Sequence, residues 1–207
     1  MRSDAARNHA RLLDAARHAF DAHGIDAPLT DVAREAGVGI GTLYRHFATR
    51  EVLIEALFEK KWVEYRDAAV AALDVPDPWE AFRGYIERIC HMQAEDRGFT
   101  DVLTTRFASS PTIEKRRDEA RDAAARVLRR AQDHGSLRAD VVVEDIPFIL
   151  IANGAYLETT RDVVPHAWKR YIALLLDAMR TDGGRVPLPP APTAQQVRRA
   201  MTPGRDR

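Results

Sequence analysis

The stretch LTDVAREAGVGIGTLYRHF, residues 29–47, decides the fold. Leu29, Val32, Ala33 and Ala36 recur at helical spacing and make an apolar stripe about two turns long. Gly37 follows, and after Val38 a second short helix carries Ile40, Leu43 and Phe47 on its inner face. A helix-turn-helix makes particular demands at these points. The first helix needs a small residue where the second crosses it, and Ala33 is one. The turn needs a residue that tolerates positive φ, and Gly37 is the least strained choice. An apolar side chain must then lock the second helix onto the core, and Leu43 stands there. Leu12, Ala16, Ala19 and Phe20 of the preceding helix complete a small core.

With Leu43 and Phe47 turned inward, Thr42, Tyr44, Arg45 and His46 project from other faces of the second helix. Gly39, Ile40 and Gly41 sit at its N-terminus, the end that enters the major groove in this motif. The free N–H groups of that end favour phosphate. From Ile40 to Arg50 there are two arginines and a histidine, and no carboxylate. The bland alternative is a helical subdomain whose surface is merely polar, and for Arg45 alone that reading competes evenly with a phosphate contact.

Outward from this stretch the apolar pattern keeps a period near 3.6, with no alternation of period two, so the chain reads as all-α. The expected helices are 4–23, 28–36, 40–47, 50–73, 78–95, 98–108, 111–133, 144–162 and 165–181. Gly24 and Gly135 look like helix stops, and Ser110-Pro111 like an N-cap followed by a first-position proline. The organisation expected is a DNA-facing three-helix domain at 1–49, a helical domain at 50–182, and a disordered Pro/Arg-containing tail at 183–207.

Composition bounds the function. Thirty-one basic residues balance 31 acidic ones, which argues against coating nucleic acid or anionic membrane by bulk attraction but leaves room for a local basic patch. Residues 1–50 carry seven arginines against six carboxylates, so positive charge there is placed rather than abundant. The single cysteine, Cys90, excludes an internal disulfide framework. Glu87 and His91 stand four apart beside it, without a second Glu/His helix pair to complete a two-metal box, so no metal and no cofactor is expected. The polar N-terminus is no secretory signal, and Ile146–Leu157 is too short to span a bilayer, so a cytoplasmic protein is expected.

The run Ala36-Gly37-Val38-Gly39-Ile40-Gly41-Thr42-Leu43-Tyr44-Arg45-His46-Phe47, followed by Thr49-Arg50-Glu51 and an apolar helix, resembles the TetR family of bacterial transcription regulators over roughly residues 9–58. The resemblance implies that Gly39, Ile40, Gly41 and Thr42 occupy base- or phosphate-contacting positions. It likewise puts Tyr44 and His46 on the DNA backbone, Arg50 at a phosphate-binding position, and Thr30 where members touch phosphate. Many members have a polar residue where Gly39 and Ile40 stand, which leaves fewer side-chain hydrogen bonds here for reading bases.

By the same resemblance, the C-terminal part encloses an effector pocket and pairs its last two helices with a second copy. Eleven of the fifteen aromatic residues lie from Trp62 to Tyr171, enough to wall a mostly apolar ligand site or simply to fill a core. Trp62, Tyr65, Tyr85, Phe107 and Tyr156 are the pocket candidates. Asn153 reads equally as a pocket donor or an interface polar group. Helices 144–162 and 165–181 carry an apolar surplus that suits a homodimer, with Phe148, Ile151, Gly154 and Ala155 on one and Trp168, Tyr171, Ile172, Leu175, Leu176 and Met179 on the other.

The leading expectation is therefore a homodimeric, ligand-responsive regulator, a repressor, that binds a double-stranded pseudo-palindromic operator and is released by a small, mostly apolar or aromatic effector. An enzyme finds no Ser/His/Asp order, phosphate-cradling loop or metal cluster to support it, and no catalytic residue is nominated. A helical small-molecule-binding module that touches no operator is the other alternative. The tail arginines Arg198, Arg199, Arg205 and Arg207 read as a solvated end.

Overall fold

The computed structural model describes residues 2–107, 109–181 and 187–202. Among the described residues, ten helices follow one another in the order α1 (Arg2–His23), α2 (Leu29–Glu35), α3 (Ile40–His46), α4 (Arg50–Ala72), α5 (Pro78–Glu95), α6 (Arg97–Thr104), α7 (Pro111–Asp133), α8 (Asp145–Thr160), α9 (Ala167–Met179) and α10 (Ala194–Ala200). The protein is all-α: among the described residues the only β pairing is an isolated antiparallel bridge between Leu137 and Arg180.

The helix ends follow local chemistry. Thr49, Asp77, Asp96, Ser110 and Thr193 each accept a hydrogen bond from the backbone N–H three residues on, satisfying donors that the first turn would otherwise leave orphaned. Gly37 takes φ +66° in the turn between α2 and α3, where a side chain would be strained. Ala33 and Leu43 are buried on either side of it.

One hydrophobic interior runs unbroken from Leu12 in α1 to Met179 in α9. The boundary expected at residue 50 is therefore not a break in packing. Phe20 of α1, Phe58 of α4 and Gly98 of α6 meet closely: a Cβ on Gly98 would lie 3.0 Å from Phe58 Cζ and 3.2 Å from Phe20 Cβ. α4, about 35 Å long at 1.5 Å per residue, runs from this junction into the larger helical body, where it packs on α5 and α7.

Three differences from the sequence expectation stand out. α6 runs Arg97–Thr104 and stops short of residue 108, because Thr105 adopts an extended conformation. α9 begins at Ala167 rather than at Pro165, since Val163 and Val164 turn back to the Thr160 carbonyl. The tail expected to be disordered contains α10, whose Val197, with Met201 just beyond its end, is buried against the body. Residues 183–186 and 203–207 of that tail, Arg205 and Arg207 among them, lie outside the described residues.

Candidate functional site

The α2–turn–α3 unit leaves one surface open. Ile40 and Tyr44 are 37% and 50% exposed, large values for residues of their kind beside a packed core. A Cβ added at Gly39 or Gly41 would meet nothing within 4 Å, so neither glycine is required by packing inside the protein. The space outside the N-terminus of α3 is thus open to close approach by another backbone. Arg45 is exposed, and its Nη2 donates to Thr42 Oγ1 at 2.8 Å, which draws the two polar groups together on that face. Thr30 is exposed at the start of α2. His46 is half-buried, its ring 5.9 Å from that of His9 and 6.3 Å from that of Phe47.

Arg50, expected as a phosphate contact, has partners inside the protein. Its Nη1 donates to the carbonyls of Ile25 and, at 2.8 Å, Ala27. The guanidinium thus closes the loop between α1 and α2 onto the first turn of α4. The same loop is gripped from α6: Asp101 accepts from Ile25 N at 3.1 Å, and Arg97 donates to the Ala22 carbonyl at 3.0 Å while pairing with Glu158 at 2.7 Å. Burial pushes the Asp101 carboxyl above its ordinary range, against the opposing pull of the Ile25 amide. The DNA-facing helices are thereby fastened to α4, α6 and α8 through one short loop.

The larger domain contains a cavity of about 80 Å³. Trp62, Tyr65 and Tyr85 line it, beside Leu150 of α8 and Arg117 of α7. Two nominated residues are elsewhere. Phe107 is buried in the α6–α7 connection, with its backbone N–H on Glu114, and Tyr156 stacks on Tyr171 with ring centroids 5.4 Å apart. Neither touches the cavity wall. The wall that the sequence did not disclose comes from α10, through Ala194, Val197, Arg198 and Met201. α10 is held there by the Arg106 amide, which donates to the Met201 carbonyl at 2.7 Å.

Arg117 is one of six charged residues that line the cavity, with Glu114, Asp118, Arg121, Glu144 and Arg198. Its Nη1 donates to Leu103 O and its Nη2 to Val102 O and Thr105 O, capping the last carbonyls of α6. Burial lowers its pKa, opposed chiefly by Glu114. Tyr65 and Tyr85 lie side by side, and burial pushes the Tyr65 hydroxyl up to about 12 and that of Tyr85 well above its usual value. Both stay protonated and serve as neutral polar groups.

Of the other candidates, Cys90 and Asn153 fall into the core. Cys90 is fully buried, and burial pushes its thiol up to about 12, so it acts as a small apolar residue. His91 stacks on Trp168 and lies 3.3 Å from Glu95. No group of three or more potential metal ligands occurs among the described residues. Asn153 is neither a cavity donor nor an interface group. It donates to Gln93 Oε1 at 2.9 Å, and Gln93 donates to the Leu150 carbonyl at 3.0 Å, so the amide pair ties α5 to α8 inside the core.

The proposed interface helices are only partly free. Trp168, Ile172, Leu176 and Met179 are buried within the protomer, because α9 needs that face to cover α5 and α8. What remains outward on α8 is Phe148, Ala152 and Ala155, and on α9 Leu174, which is 62% exposed, with Tyr171 and Leu175 partly covered. No described helix is long and apolar enough to cross a membrane.

Comparison with known proteins agrees with this arrangement. Residues 12–57 match the family model for bacterial regulatory proteins of the tetR family, and residues 77–181 match that for the SbtR-like transcriptional regulator C-terminal domain. An HTH-type transcriptional regulator of Staphylococcus aureus is 41% identical over 54 residues, a match that covers 26% of this chain and 29% of that protein. A TetR transcriptional regulator from Streptomyces coelicolor is 32% identical in its crystal structure, with TM-score 0.53 over 84% of this chain and 99% of that one. A tetR-family regulator from a Shewanella species is 25% identical, with TM-score 0.55 over 84% of this chain and 98% of that one.

Proposed function

The chain belongs to the TetR family of transcriptional regulators, and we propose that it acts as a homodimeric repressor released from a pseudo-palindromic operator by a small, mostly apolar effector. The observation that carries this reading is α4. At its first turn Arg50 is bonded to the loop beneath the helix-turn-helix, and three turns further on Trp62 and Tyr65 form the cavity wall. A ligand that moves this wall also moves the mounting of the DNA-facing helices. In a dimer such a movement changes the separation of the two α3 helices, and hence their fit to half-sites about one helical turn or more apart.

On the DNA side, Gly39, Ile40, Gly41 and Thr42 approach the groove and its edge, while Thr30, Tyr44, Arg45 and His46 meet the phosphates. Arg50 supports this surface from behind. Dimerisation uses the outward stripe of Phe148, Ala152, Ala155, Tyr171, Leu174 and Leu175, where the alanines permit close helix approach. The role requires no catalysis. DNase footprinting of the region upstream of the protein's own gene, by the full chain, tests the reading. Two protected half-sites related by two-fold symmetry support it, and an unprotected region at concentrations that saturate the dimer counts against it.

A further inference from the structure

We infer that the effector is a compact apolar carboxylate whose anionic group sits between Trp62 Nε1 and Arg117 Nε. This rests on reading the cavity as the effector site. Trp62 is 2% exposed and, among the described residues, its indole N–H has no acceptor and the buried Nε of Arg117 makes no hydrogen bond. Buried donors are nearly always satisfied, so two orphans lining one small cavity mark the place of a missing acceptor. The Arg117 guanidinium carbon lies 5.8 Å from the centre of the Trp62 ring, so the two side chains border the same part of the cavity.

Charge selects the kind of acceptor. Arg106 and Arg117 share a single carboxylate, Glu114, at 3.5 and 3.9 Å. The neighbouring charges are already matched, Arg198 with Asp118 at 3.9 Å and Arg121 with Glu144. Among the described residues, the ion pairs of Arg106 and Arg117 with Glu114 thus leave one positive charge of that group without a carboxylate of its own. The terminal nitrogens of Arg117 are engaged by the Val102, Leu103 and Thr105 carbonyls, and its Nε has only Glu114 near it, at 3.9 Å and beyond hydrogen-bond range, so Nε is the donor left for a ligand. A carboxylate accepts from Nε and from the indole N–H together and restores neutrality, whereas a neutral amide supplies the acceptor without the charge.

The apolar part of the wall fixes the body of the ligand. Leu103, Ala124, Ile146, Leu150, Val197 and Met201 offer apolar surface. The cavity is several-fold smaller than the roughly 300–1,000 Å³ of sites for drug-sized molecules, so the body is a single ring or a short chain. A longer chain has to push Val197 and Met201 of α10 aside.

The test follows the Trp62 indole N–H resonance of the full chain, assigned by its loss in Trp62→Phe, during titration with benzoate and octanoate and with benzamide and octanamide. The expected result is a saturable downfield shift of that resonance with at least one carboxylate. The matched amide should bind at least tenfold more weakly, and the Trp79 and Trp168 signals should stay unmoved. In Trp62→Phe, with the fold verified by circular dichroism, carboxylate affinity should fall by roughly fivefold to tenfold, the value of one buried hydrogen bond. Amides binding as tightly as carboxylates, or carboxylate saturation that leaves the Trp62 signal in place, overturns the inference while keeping the cavity as an apolar ligand site. If neither class of probe binds, the inference and the effector-site reading both fail.

Discussion

Replacing Arg50 with alanine separates a structural tie from a phosphate contact. Nη1 of Arg50 donates to two carbonyls of the α1–α2 loop, one of them at 2.8 Å. A hydrogen bond to a charged group contributes about 1.5–3 kcal/mol, and here the two share one nitrogen on a half-exposed side chain, so their joint loss costs about 2 kcal/mol. For a chain of 150–250 residues each kcal/mol moves the midpoint by roughly 2–4 °C, which gives a fall of about 4–8 °C. Thermal unfolding followed by circular dichroism reads that number directly. Operator binding should then be measured well below the transition, across a range of salt concentrations. Arg50→Ala should weaken binding by loosening the mount of α2 and α3, with the slope of log K against log salt nearly unchanged. An unchanged midpoint, with a slope shallower by about 0.9, the value of one phosphate contact, would refute the tie and restore Arg50 to the DNA surface.

Three further outcomes follow from individual residues. Gly41→Ala adds a methyl group where the protein has open space, so helix propensity should raise stability by up to about 1 kcal/mol. Operator affinity should drop in the same variant, and a gel shift that shows no loss would remove the glycine from the interface. Gly98→Val forces a branched side chain between Phe58 and Phe20, and overpacking of this kind costs about 1–3 kcal/mol, readable as a lowered midpoint in urea or heat. Asp101→Asn keeps an acceptor for the Ile25 amide but removes a carboxylate whose folded-state pKa is raised by burial. A raised carboxyl pKa favours the folded state at low pH, and that stability is lost as pH rises through the folded-state value. The variant should therefore match or exceed the parent in stability at pH 7. Its advantage should shrink toward acid pH, and a variant markedly less stable at neutral pH would contradict that sign.

The helix-turn-helix was legible because its constraints are local. Gly37 had to take positive φ, and Ala33 and Leu43 had to be buried a few residues to either side, all within one short window. Trp62 and Tyr65 could be assigned to one face because they lie three apart on a long helix. Phe107 and Tyr156 could not be placed by the same means. One sits in a connection with no period, and the other turns toward Tyr171 because of how α9 crosses α8. Arg50 occupies the position the motif leads one to expect, but its partners are 23 and 25 residues away, and only the folded chain brings them together. Arg117 was hidden in the charged run from Glu114 to Glu119, where alternating signs look like a solvated face. α10 did leave a signal. Thr193 and Gln196 form a reciprocal capping box, and Val197 and Met201 are four apart, yet prolines 187 to 192 and few large apolar groups suggested a tail without structure.

The central claim, that the N-terminal end of α3 and the residues around it meet DNA, is tested most directly by the salt dependence of binding. The affinity of the full chain for its footprinted upstream sequence and for a scrambled duplex should be measured by fluorescence anisotropy between about 50 and 200 mM salt, the range over which several phosphate contacts change affinity by orders of magnitude. The expected result is a linear fall of log K with log salt for both duplexes, with the footprinted sequence bound at least ~10³-fold more tightly. Affinity that ignores salt, or equal affinity for the two duplexes, would contradict the claim.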